Sequence, residues 1–142
     1  MQRIEIVNVR GLEVNASSVV YIGRAFAGWK GSVLGNPFQI GKDGSREEVI
    51  QMYRRWLWFR MQEQGQVQKE ILRLAAMYAR GESIKLGCWC FPQACHGEIV
   101  ARAIRYYGYF KYSAKPRSTP RAQPKPRWML KFQIVKGGDP HS

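Results

Sequence analysis

Between Ser83 and Gly108 the hydrophobic rhythm of the chain changes from a period of two to a period near 3.6. Ser83 to Cys90 (SIKLGCWC) alternates, so Ile84, Leu86, Cys88 and Cys90 are expected on one face of a strand, with Lys85, Gly87 and Trp89 on the other. After Phe91-Pro92-Gln93-Ala94 a helix is expected from about Cys95 or His96. Ile99, Val100, Ala103, Ile104 and Tyr107 form its apolar stripe, and Gly108 is read as its end. Strand, short loop and helix in that order make the repeating unit of a layered α/β fold.

The preceding sequence fits around that unit. Ile4, Ile6 and Val7 to Val9 read as a first strand and Ser18 to Gly23 as a second, both short and β-branched. Ser45, with Glu48 three residues on, forms a capping box, in which each side chain satisfies a backbone donor of the other. Val49, Met52, Tyr53, Trp56, Leu57 and Met61 then recur at helical spacing, which predicts a helix to about Gln64, broken by Gly65. Val67, Ile71, Leu74, Ala75 and Tyr78 mark another, with Gly81 as a left-handed cap. The expectation for residues 1–112 is a small Rossmann-like sheet with three helices.

A chain of 142 residues, 45% hydrophobic, can bury a core and is no disordered polyelectrolyte. No run approaches the roughly 18 apolar residues of a membrane-spanning helix, and Met1 to Val9 lacks the apolar block of a secretory signal. The three cysteines fall within eight residues, an odd and clustered set that suits reduced thiols in the cytoplasm better than a disulfide framework.

That cluster, Cys88-Trp89-Cys90-Phe91-Pro92-Gln93-Ala94-Cys95-His96, is where chemistry is expected. It spans the C-terminal end of a strand and the start of a helix, the place where ligands bind in open α/β sheets. Free N–H groups and the helix dipole there favour anions and lower a thiol pKa. Three readings fit the residues. Cys88 and Cys90 are small core residues with His96 capping the helix; or Cys88, Cys90, Cys95 and His96 hold a zinc ion; or Cys90, Cys95 and His96 form a catalytic pocket of nucleophile and acid–base partner. The glycine-rich loop from Arg24 to Gly44 is the expected second wall. There the backbone can approach a ligand closely, with Arg24, Lys30 and Asn36 as anion-binding residues, or it is a structural turn that packs Trp29 and Phe38 on the core. It has neither the Gly-Lys-Ser/Thr ending of a P-loop nor a dinucleotide fingerprint.

YIGR (Tyr21 to Arg24), GSVLGNPF (Gly31 to Phe38), IGKDGSREEVI and LGCWCFPQACHG (Leu86 to Gly97) resemble the motifs of the uncharacterised family called domain of unknown function 4326. The resemblance spans about Tyr21 to Ile104 and implies a small prokaryotic or phage protein. It also implies that Arg24, Asn36, Cys90, Cys95 and His96 share one site. The strand–Cys–loop–Cys-His–helix portion is similar, too, to domain of unknown function 488, where an Arg usually follows the Cys-His pair; here Gly97 stands in that place.

Beyond Tyr112 the composition changes. The net charge is +13, and ten of the 23 basic residues lie between Arg102 and Lys136, a stretch without Asp or Glu. Ser113 to Arg127 carries four prolines and no large apolar residue, so residues 113–142 are expected to form an extended, polyproline-like basic arm. Trp128 to Val135 alternates and would add an edge strand to the sheet or to a partner protein. Lys111, Lys115, Arg117, Arg121, Lys125, Arg127 and Trp128 can neutralise phosphates and stack on bases. The expected partner is RNA or DNA, within a ribonucleoprotein or protein–DNA complex. The alternatives are an enzyme acting on a nucleotide, nucleoside or nucleic-acid end through the Cys/His pocket, and a zinc-stabilised interaction module. No amphipathic helix points to a membrane.

Overall fold

The computed structural model describes residues 4–112. In chain order they form β1 (Ile4–Asn8), β2 (Val20–Tyr21), α1 (Arg46–Met61), α2 (Gln66–Ala79), β3 (Ile84–Cys88) and α3 (Gly97–Tyr112), a mixed α/β arrangement with three helices as expected. The sheet runs β1-β3-β2, with both pairings parallel. Ile4 pairs with Ile84 and Asn8 with Cys88 on one side of β3; Val20 pairs with Leu86 and Tyr21 with Gly87 on the other. The central position of β3 explains its apolar run, in which only Lys85 is exposed. Gly87 is required there, because a β-carbon would come within 2.6 Å of a Val9 methyl.

The helices bury the stripes that their spacing predicts. Tyr53 and Leu57 of α1, Ile71 and Leu74 of α2, Ile84 and Leu86 of β3, and Ile99 and Ile104 of α3 meet in one core. Full burial of a side chain of this size contributes about 1.5–3 kcal/mol. The capping box forms at Ser45: its Oγ accepts from the Glu48 N–H at 3.2 Å, and Glu48 Oε1 accepts from the Ser45 N–H at 2.8 Å. At the end of α2, Gly81 has φ +89°, and the N–H groups of Gly81 and Glu82 reach back to Tyr78 and Met77 at 3.0 and 3.1 Å. That is the paired closure expected of a left-handed cap.

Four boundaries differ from the sequence reading. β3 stops at Cys88, so Trp89 and Cys90 belong to the turn and not to the strand face. The cause lies on β1: the Asn8 side-chain amide donates to the carbonyls of Trp89 (3.2 Å) and Phe91 (2.7 Å) and draws the chain over the end of the sheet. β2 pairs over only two residues, since the chain turns into the glycine-rich loop just after Ile22 donates to Gly87. α1 ends at Met61, with Gln62 as its cap. α3 continues through Gly108 to Tyr112. Gly108 serves close packing of α3 on α2, where a β-carbon would meet Tyr78 Cδ2 at 2.9 Å and the Ala75 carbonyl oxygen at 3.1 Å.

As expected, no helix crosses the glycine-rich loop. It is held by Trp29, buried and stacked on Tyr21 with ring centroids 4.8 Å apart, by buried Leu34, and by the Ser32 N–H donating to Gly23 at 2.9 Å. Among the described residues no helix is long and apolar enough to cross a membrane.

Candidate active site

At the carboxyl end of β3 a cavity of about 360 Å³ opens between the glycine-rich loop, the start of α1 and the turn that leads into α3. Arg24, Phe26, Arg46, Trp89 and Cys90 line it together with buried His96. This is the crevice in which parallel sheets bind ligands.

The three thiols converge. Cys88, at the last position of β3, and Cys95, just before α3, bring their sulfurs to 3.4 Å, both buried. Cys90 is half-buried beside them. A hydrogen bond from the Cys95 thiol pushes Cys90 down to about 6 against the cost of burial, and the Arg46 guanidinium and the Arg24 charge add to the effect. Cys88 is pushed down to about 7, again by Cys95 first, with backbone donors of Phe91 and Cys90 assisting. Cys95, bonded to both and buried, is pushed far up and keeps its proton. Cys95 has one S–H to give, and its sulfur lies 3.4 Å from that of Cys88; the Arg46 and Arg24 guanidinium groups favour the thiolate of Cys90.

His96, the expected acid–base partner, lines the cavity with one ring nitrogen bonded to the backbone. Its Nε2 lies 2.7 Å from the Ile22 carbonyl oxygen, and its ring packs edge-on against Tyr53 at 4.7 Å. A carbonyl can only accept, so Nε2 carries the proton. Burial pushes the ring down to about 4, which leaves it neutral at pH 7. Its hydrogen bond fixes the entry to α3 against the end of β2.

Asn36 is buried, and both ends of its amide meet the backbone: Nδ2 donates to Val49 at 3.3 Å and Oδ1 accepts from Phe38 at 2.9 Å. It anchors the glycine-rich loop to α1. Arg24 donates to the carbonyls of Asn36 and, at 3.4 Å, Phe38, so the same anchor positions its guanidinium at the cavity. Lys30 is not brought to the cavity; it lines a separate groove beside β2. Among the described residues no group of three or more His, Cys, Asp or Glu is arranged to hold a metal ion. The sulfurs of the expected zinc set converge, but His96 turns to Ile22. Lys111 is exposed in the last turn of α3, while Lys115, Arg117, Arg121, Lys125, Arg127, Trp128 and the 128–135 segment lie outside the described residues.

Arg46 is the residue that sequence reasoning missed. From the first position of α1 its Nη1 donates to the Ala94 carbonyl at 3.0 Å and its Nη2 to Gln93 Oε1 at 2.8 Å, so it holds the turn that carries Cys90. One signal was available: a cation in the first turn of a helix opposes the helix dipole, which calls for a reason elsewhere. Gly97 stands where the second resemblance would have an Arg, and a β-carbon there would press on Cys95 Sγ at 3.2 Å.

The model of a family described as "Domain of unknown function (DUF4326)" matches residues 7–106, a span that contains every cavity residue. An uncharacterised 12.4 kDa protein of Enterobacteria phage T4, named for the nrdA-td intergenic region, is 36% identical over 76 residues. These are 53% of this chain and 62% of the phage protein, so the chain spans less than two thirds of that relative's length. No solved structure matches the chain.

Proposed function

We propose that this chain, which belongs to the DUF4326 family, is an enzyme acting on a nucleotide, nucleoside or nucleic-acid end, with Cys90 as nucleophile. The observation that carries the proposal is a thiol pushed down to about 6 that faces Arg46 and Arg24 in a cavity with aromatic walls. The guanidinium groups suit a phosphate and the rings suit a base. A layered Rossmann-like sheet, which the parallel order β1-β3-β2 supports, accounts for the cavity's place at the carboxyl ends of the strands.

The reaction class is nucleophilic substitution. The thiolate lone pair forms a bond from Sγ to the substrate's electrophilic atom, while the leaving group departs with the bonding pair and takes a proton from water. A second water then gives its hydroxyl to that atom and its proton to solvent, which releases the thiolate. Arg46 positions the turn that carries Cys90 through its bonds to Ala94 and Gln93, and His96 holds the end of β2 in place.

The same proposal assigns nucleic-acid binding, through phosphate and stacking contacts, to the basic sequence from Arg102 to Lys136. The C-terminal end of α3 supports it: Tyr106 and Phe110 stack at 4.6 Å, and Tyr109 beside them is exposed.

The test is alkylation of the full chain with iodoacetamide across pH 5–8, read by peptide mass spectrometry. Cys90 should label fastest, with a midpoint near pH 6, and a nucleoside monophosphate should slow it. Slow, uniform labelling of all three cysteines would refute the proposal.

A further inference from the structure

Beside the edge strand β2 lies a second depression, a groove of about 670 Å³ lined by Tyr21, Lys30, Ser32, Lys69, Arg73 and Met77, among others. The cavity chemistry does not use it. Lys69, Arg73 and Met77 line it from one face of α2, where residues three and four apart are neighbours. Glu70, the acidic residue of the lining, accepts two bonds from Arg73 at 2.7 and 3.0 Å, so that pair is internally neutral. Lys30 and Lys69 then set the sign of the groove, and it is positive.

Lys30 is held in place by its backbone. Its N–H donates to Asn15 Oδ1 at 3.0 Å, and Asn15 Nδ2 donates to Gly28 at 3.3 Å, across the stretch where Ala27 and Gly28 both have positive φ. The groove is thus a formed part of the domain.

Groove and cavity share a wall. The Trp89 indole N–H, on the cavity side, donates to the Tyr21 hydroxyl at 2.9 Å, and that hydroxyl donates to the Arg24 carbonyl at 2.7 Å. Tyr21 lines the groove, whereas Trp89 and Arg24 line the cavity. At the cavity wall Phe26 is 62% exposed and packs edge-on against Trp89 at 5.2 Å, which offers a ring face to an unpaired base.

We propose that the groove seats the phosphates that follow the terminal nucleotide of a single nucleic-acid strand, with that terminal nucleotide in the cavity. The substrate of the Cys90 site is then the end of a single strand and not a free mononucleotide. This inference rests on the reading of the cavity as a nucleotide site, and charge complementarity selects the occupant of the groove. A single strand fits because a terminal base can enter the cavity only unpaired.

The test compares the full-length protein with its Lys30→Glu/Lys69→Glu variant, both exposed positions that leave the core untouched. The readout is protection of Cys90 from iodoacetamide by thymidine 5′-monophosphate and by a short 5′-phosphorylated oligothymidylate. Wild type should be protected by the oligonucleotide at a concentration roughly tenfold or more below that of the mononucleotide. The variant should lose most of that advantage while mononucleotide protection stays unchanged. An advantage of equal size in both proteins would place the extra contacts outside the groove and overturn the inference. Equal protection by a polyglutamate peptide would overturn it in favour of an acidic protein partner. Protection by none of these probes would instead overturn the nucleotide reading of the cavity, and the groove assignment with it.

Discussion

Nε2 of His96 lies 2.7 Å from the carbonyl oxygen of Ile22, a bond that ties the residue before α3 to the end of β2 across 74 positions of sequence. The ring beneath that bond is buried and neutral, pushed down to about 4. In the unfolded chain it takes up a proton near its ordinary value of about 6.5. Between those values the unfolded state binds more protons, so stability rises with pH. Lowering the pH from 7 through that window should cost on the order of 3 kcal/mol. Urea denaturation at pH 7, 5.5 and 4 measures it, and His96→Ala should remove most of the pH dependence in that window.

Arg46→Gln should raise the midpoint of Cys90 alkylation from near 6 by about one unit, because an opposite charge beside a thiolate is lost. The thiolate exists above the midpoint, so labelling at pH 6 should fall several-fold while labelling at pH 9 barely changes. Arg24→Gln, which removes a weaker influence on Cys90 than Arg46, should shift it less. A midpoint unmoved by Arg46→Gln would show that the guanidinium only holds the turn.

Gly108→Ala should destabilise the domain by about 1–3 kcal/mol despite the higher helix propensity of alanine. The added carbon meets Tyr78 at 2.9 Å and the Ala75 carbonyl at 3.1 Å, and the carbonyl belongs to helix backbone that does not yield. Thermal unfolding reads the loss. A neutral or stabilising result would mean that α3 can move off α2.

Deleting residues 113–142 should remove most nonspecific nucleic-acid affinity and leave Cys90 labelling intact. If six arm cations contact phosphates of a duplex, log K against log salt should have a slope of about −5 in the full chain. Fluorescence anisotropy titrations over a salt series give both slopes. An unchanged slope after deletion would move the binding surface onto the domain itself.

What sequence pattern could reveal follows from the range of the interactions. The capping box at Ser45, the cap at Gly81 and the apolar stripes of all three helices are local, and each was legible. Arg46 and Asn8 act on the turn around Cys90 from 47 and more than 80 positions away, a distance over which no spacing rule speaks. Cys95 and His96 are neighbours in sequence, yet their side chains diverge, one toward Cys88 and the other toward Ile22 and Tyr53. Adjacency in sequence therefore does not reveal that the thiol and the imidazole turn to different neighbours. Lys30 and Arg24 share a loop but face opposite sides of the Tyr21–Trp89 wall. Gly108 reads identically as a stop signal or as a contact point, and only the partner helix distinguishes them.

The reach of Asn8 over the end of the sheet ties reactivity to completion of the fold. The turn carrying Cys90 is shaped by an amide more than 80 residues earlier in the chain. That amide sits on the first strand, docked beside the last, so the turn's shape depends on the pairing of β1 with β3. The arginines that favour the Cys90 thiolate and the amide that shapes its turn come from separate elements, so this environment exists only in the closed domain.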